Sequence, residues 1–173
     1  MNQKMRGIEQ YKNALPATTS DTKENKYNED FRNSNRAKLV LVDAKNINHG
    51  GGYSKIEFCD VYSIDKEMFH IKRYSGSSVL SHLFAQGCNS ARRLLSDDTF
   101  RKKVNAIIPK SFELPVSDSP NASDYTVIFG IISERAGEVP ANLPFFSKLT
   151  LMRAANELRL MGIKVCVAGI QSN

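Results

Sequence analysis

The stretch from Ser54 to Arg93, SKIEFCDVYSIDKEMFHIKRYSGSSVLSHLFAQGCNSARR, constrains the fold more than any other. Its apolar residues alternate twice and then recur at helical spacing. This pattern predicts a strand over Lys55–Tyr62, a turn at Ser63–Lys66, a strand over Glu67–Arg73 and a small-residue loop at Tyr74–Ser78. A helix follows from about Ser77 to Leu95, with Val79, Leu80, Leu83, Phe84, Ala91, Leu94 and Leu95 on one face. Strands joined by so short a turn pair antiparallel, and the apolar stripe then needs a sheet face to cover it.

The flanking sequence extends the pattern. Lys26–Ser34 reads as a helix with Tyr27 and Phe31 on one face. Lys38–Asp43 is a strand whose near-continuous apolar run predicts burial on both faces. Ala44–Tyr53, with Gly50 to Gly52, is a loop. Ser96 is placed to cap a second helix that stops before Pro109, and Lys110–Ser123 is a loop. Then come a buried strand over Tyr125–Ser133, a helix from Ser147 to Met161 ended by Gly162, and a last strand over Ile163–Ile170. The spacing of these last elements predicts a parallel right-handed crossover. Residues 1–25 are polar and read as a mobile N-terminal arm with a short helix near Ile8–Leu15. Residues 26–173 then form a single α/β domain: helix, three-strand meander, helix, strand, helix, strand.

A chain of 173 residues can bury a real core. No apolar run approaches the ~18 residues of a membrane helix, and the N-terminus has no apolar signal region. The expected location is the cytoplasm. Cys59, Cys88 and Cys166 show no CxxC spacing, so neither a disulfide framework nor a zinc site is favoured. The net charge of +6 permits nucleic-acid binding through phosphates, although a solvated basic surface explains it as well.

Chemistry concentrates in the same central stretch. Asp60 ends one predicted strand, and His70 and Lys72 share a face of the next. A metal-dependent phosphodiesterase needs carboxylates for Mg²⁺ and a lysine to stabilise transition-state charge. The arrangement resembles the restriction-endonuclease-like fold, in which an Asp ends one strand, a Glu-x-Lys follows on the next and a Glu often joins from the preceding helix. Glu29 is the expected helix carboxylate, so Glu29 and Asp60 are the candidate Mg²⁺ (or Mn²⁺) ligands. His70 stands where a Glu is usual, and a neutral imidazole is a poor Mg²⁺ ligand. Glu57 or Glu67 can substitute, although in a continuous strand Glu57 points to the opposite face from Asp60. Asp60, His70, Lys72 and Gln86 are the candidate catalytic residues. Arg73, Ser75, Ser77, Ser78, His82 and Arg93 are candidate nucleic-acid contacts, the serines lying at a helix N-terminus. Simple helix capping and a solvated helix face account for the same residues.

The motif string resembles a sporadically distributed bacterial and phage family of unknown function. The matching segments are Tyr27-Asn28-Glu29, Val42-Asp43, Ile56–Asp60, His70–Gly87, Ser96–Lys103, Asn121–Tyr125 and Leu143–Lys148, so the resemblance covers about residues 26–170. It implies that the chain corresponds to the C-terminal domain of longer members. It further implies an accessory protein of temperate phages, associated with exclusion of competing phages. His70-x-Lys72 is shared by that family. DNA is the favoured partner, and a membrane is not. Two alternatives remain open: a non-catalytic nucleic-acid-binding module, and a protein-interaction module aimed at a host or phage factor.

Overall fold

The computed structural model describes residues 8–42, 47–48 and 55–173. Asp43, His49 and the Gly50–Gly52 triplet lie outside the described residues. The elements are β1 (Glu9–Gln10), α1 (Glu24–Ser34), β2 (Leu39–Leu41), β3 (Ile47–Asn48), β4 (Lys55–Ile56), β5 (Val61–Ser63) and β6 (Glu67–Arg73). They continue with α2 (Ser77–Ser96), α3 (Asp98–Asn105), β7 (Thr126–Ser133), α4 (Phe145–Leu160) and β8 (Lys164–Gln171). Six strands form a mixed sheet in the order β1-β8-β7-β6-β5-β2, and β3 pairs β4 separately. Strands β2, β5 and β6 make the antiparallel meander, while β6, β7 and β8 run parallel. The α/β meander expected from the sequence is therefore present.

The sheet is covered on both faces, and strand alternation decides which residue goes where. Met68, Val127, Phe129, Val165 and Val167 pack with Leu80, Leu83 and Phe84 of α2 and Leu151, Ala155 and Leu158 of α4. Phe69, Ile71, Ile128, Ile132 and Ile170 point the other way, onto Tyr27 and Phe31 of α1. Burying each such side chain contributes about 1.5–3 kcal/mol. Helix α2 approaches the sheet closely: a Cβ on Gly87 would stand 2.5 Å from the Phe129 ring.

Several boundaries differ from expectation. The strand expected over Lys55–Tyr62 is broken: Lys55–Ile56 pairs β3, Glu57–Asp60 has no strand geometry, and Val61–Ser63 joins the main sheet. Asp60 thus precedes a strand rather than ending one. Strand β2 is the outer strand of the sheet, and Val40 and Leu41 are only partly buried, not enclosed on both faces. Helix α1 starts at Glu24. Residues 8–11, expected within an arm helix, lie instead along the sheet edge, where β1 pairs β8 in parallel and Ile8 is buried. Asp97, not Ser96, caps α3, accepting from Phe100 N at 2.9 Å. Helix α4 starts after Pro144, which leaves Ser147 buried inside its first turn. Gly76, at φ +147°, starts α2 without a side-chain cap, so the serines there are not caps. Among the described residues, no helix is long and apolar enough to cross a membrane.

Candidate functional site

Strand β5 is too short to accompany β6 along its length. The two pair only at Val61–Phe69 and Tyr62–Met68, with Asp60 N donating to Phe69 O at 2.9 Å. Beyond that point the strands part. The next amides of β6 on that side, Ile71 N and Arg73 N, need other acceptors. Carboxylates supply them. Asp60 Oδ2 accepts from Ile71 N at 2.6 Å, and Glu24 Oε2 accepts from Arg73 N at 2.7 Å. The gap between β5 and β6 is thereby lined with acid.

Lys72 lies between these two amides in sequence, at the carboxyl end of β6. Its Nζ donates to Glu24 Oε1 at 3.1 Å. Glu57 reaches the same region because residues 57–59 leave strand geometry, which frees Glu57 from alternating away from Asp60. Its Oε2 accepts from Gln86 Nε2 at 3.1 Å, which links α2 to the group. Partial burial pulls the Lys72 pKa down. The hydrogen bond to Glu24 and the charges of Glu24, Asp60 and Glu57 outweigh that pull and raise it overall. Lys72 is therefore a cation hydrogen-bonded to one carboxylate and within electrostatic reach of two more. Among the described residues, no three acidic, His or Cys side chains already converge as a ready ligand group.

The other predicted residues are placed as follows. His70 shares the Lys72 face as its spacing predicts, but it sits deeper, 3% exposed, with Nε2 3.4 Å from Ser90 Oγ and its ring tilted against Phe129. Burial pulls its pKa down to about 4, so it is neutral. Glu29 is exposed on α1, and its charge acts on Lys26. Arg73 spans three segments: Nη1 donates to Ser172 Oγ at 2.9 Å, and Nη2 donates to Thr19 O and Thr22 O. Arg93 lies 3.4 Å from Asp97 at the far end of α2. Ser75, Ser78 and His82 are exposed and Ser77 partly so, around the start of α2. Asp60 acts on Lys72 by charge and Gln86 bonds Glu57, which does the same, whereas His70 is buried against Ser90, Glu29 is exposed on α1 and Arg93 pairs with Asp97.

A family model described as a family of unknown function, DUF6119, matches residues 1–171. The chain belongs to DUF6119. The match extends through the N-terminal segment, beyond the residues 26–170 carried by the motifs. No curated protein and no solved structure matches the chain.

For this DUF6119 chain, the partner of Lys72 absent from the sequence-based candidates is Glu24. A visible signal was its place at the head of a helix, where an acidic side chain is favoured. The helix expected from Lys26 begins instead at Glu24. The role of Glu57 was hidden by the apolar run Ile56–Cys59, which reads as unbroken strand.

Proposed function

We propose that this chain is a metal-dependent phosphodiesterase of restriction-endonuclease-like build that cuts nucleic acid, serving a prophage in exclusion of competing phages. The observation that carries the reading is Lys72, hydrogen-bonded to Glu24 and within electrostatic reach of Asp60 and Glu57, at the opening between β5 and β6 where Asp60 holds Ile71 N. A helix, an antiparallel meander, and a helix leading to a strand parallel to the third meander strand support it. The donor set is hard carboxylate oxygen, which suits Mg²⁺ or Mn²⁺. Asp60 and Glu57 would hold the ion, with Glu24 adjacent. Such an ion supplies Lewis-acid charge at a phosphate oxygen.

The chain's own residues have separable tasks. Lys72, held protonated by its neighbours, offers positive charge to the phosphate in the transition state, where charge is greatest. Glu24 orients that ammonium while resting on Arg73 N. Gln86 fixes the Glu57 carboxylate. His70 is assigned to packing, since its buried neutral ring faces Ser90. The pairing of Lys72 with Glu24 also favours a second reading, a binding module in which the lysine is structurally committed.

The deciding assay combines cleavage and gel shift on single- and double-stranded DNA and RNA, with Mg²⁺, Mn²⁺ and chelator. Cutting that requires metal and disappears in both Asp60→Asn and Lys72→Ala is expected. Salt-sensitive binding without cutting, indifferent to Asp60, establishes the binding module instead.

A further inference from the structure

Among the described residues, the large exposed apolar side chains segregate by chemistry. Ile64 and Leu160 are aliphatic. Ile64 lies in the turn before β6, and Leu160 ends α4 shortly before β8, so both are at the amino end of the parallel strands. The aromatic ones, Tyr74, Phe145 and Phe146, all lie at the carboxyl end, where Lys72 is. Tyr74 follows Lys72 by two residues on the same edge, its amide still bonded to Ile132 O at 2.9 Å. Phe145 and Phe146 open α4, which returns from the carboxyl end of β7. Helices α2 and α4 begin level with one another, since Ser81, one turn into α2, donates to Thr150, one turn into α4.

The Phe pair protrudes. The two residues are 57% and 69% exposed, and their rings meet edge to face with centroids 5.5 Å apart. Protruding rings are poorly shaped to receive a peptide helix, which needs a groove, but they present flat faces to planar partners. The chain carries +6 net charge, which complements a polyanion. Unpaired bases join both properties, because every base has a face to stack and every nucleotide a phosphate. In continuous duplex those faces are already stacked.

We infer that Tyr74, Phe145 and Phe146 form a base-stacking rim, and that the strand delivered to the Lys72 centre is unpaired nucleic acid rather than continuous duplex. This rests on the nuclease reading and names its substrate class. The chain contains no tryptophan, so Phe146→Trp introduces a single reporter. Its emission is titrated with a single-stranded oligonucleotide, the same sequence as duplex, and an abasic strand of equal charge. Stacking predicts strong quenching by the single strand alone. Anisotropy with the unmodified chain should show at least about tenfold preference for that strand, and Phe145→Ala/Phe146→Ala should lose at least about five- to 150-fold of its affinity, the range for one stacked base. Equal quenching or affinity for the abasic strand or duplex overturns the rim while leaving the nuclease reading intact. Absence of any nucleic-acid binding overturns both. Self-association abolished by the double alanine variant, with nucleic-acid affinity unchanged, overturns the rim and assigns the aromatics to a contact between copies.

Discussion

Asp60 carries two separable duties, a charge near Lys72 and an acceptor for Ile71 N. Asp60→Asn keeps an amide oxygen for the backbone and drops the charge. It is expected to unfold in urea within about 1 kcal/mol of the unmodified chain while losing cleavage. Asp60→Ala removes the acceptor as well and should cost about 1–3 kcal/mol, so only the asparagine variant isolates chemistry from folding. Glu24→Ala strips both Lys72 Nζ and Arg73 N of a partner. Because the pair is one-third exposed, the expected loss is about 1 kcal/mol, read by the same unfolding curve. His70 gives a pH signature. Its folded pKa of about 4 lies below the usual 6.5, so between those values the unfolded chain binds the proton first. Stability is full above pH 6.5 and falls by roughly 3 kcal/mol as the pH drops toward 4. Glu67, whose carboxyl burial pushes up, acts in the opposite sense. The test is therefore the difference between the unmodified chain and His70→Gln, which should lack that loss between pH 6.5 and 4.

At the scale of elements, the decisive feature is a strand that stops early. Alternation made β6, β7, β8, α2 and α4 legible to within about two residues, because each buries a long apolar face. The break at Glu57–Asp60 was not legible. Phe58 and Cys59 are buried, so burial continues where strand geometry does not, and a hydropathy pattern cannot separate the two. Likewise β1 has two polar, exposed residues and owes its place to the backbone of β8. Neither Glu24 nor the Glu57–Gln86 link follows from spacing, since each depends on where separate elements meet. Gly169 shows how tight such meetings are: a Cβ there would lie 2.0 Å from Ala136 O, in the turn after β7. The neighbour is backbone and cannot swing aside. Gly169→Ala should destabilise by about 1–3 kcal/mol, seen as a lower melting temperature.

Across the whole molecule, residues 8–20 close the edge of β8. Tyr11 N donates to Val167 O at 2.9 Å, Thr18 N to Gln171 O at 2.8 Å, and Ser20 N to Asn173 O at 2.9 Å. An open edge strand invites pairing with other chains. Deleting residues 1–20 is therefore expected to give concentration-dependent association in size-exclusion chromatography and faster amide exchange along β8.

The same stitching sets an order of events during synthesis. Arg73 grips Thr19, Thr22 and Ser172 at once, and among the described residues β1 pairs only with β8. A nascent chain that has not yet released residues 164–173 from the ribosome lacks both the β8 partner of β1 and the Ser172 partner of Arg73, so the segment leading into Glu24 is not yet locked. The acidic partner of Lys72 is thus translated early and secured late. In an arrested chain, the Lys72 centre would wait for residues nearly a hundred positions downstream of Arg73.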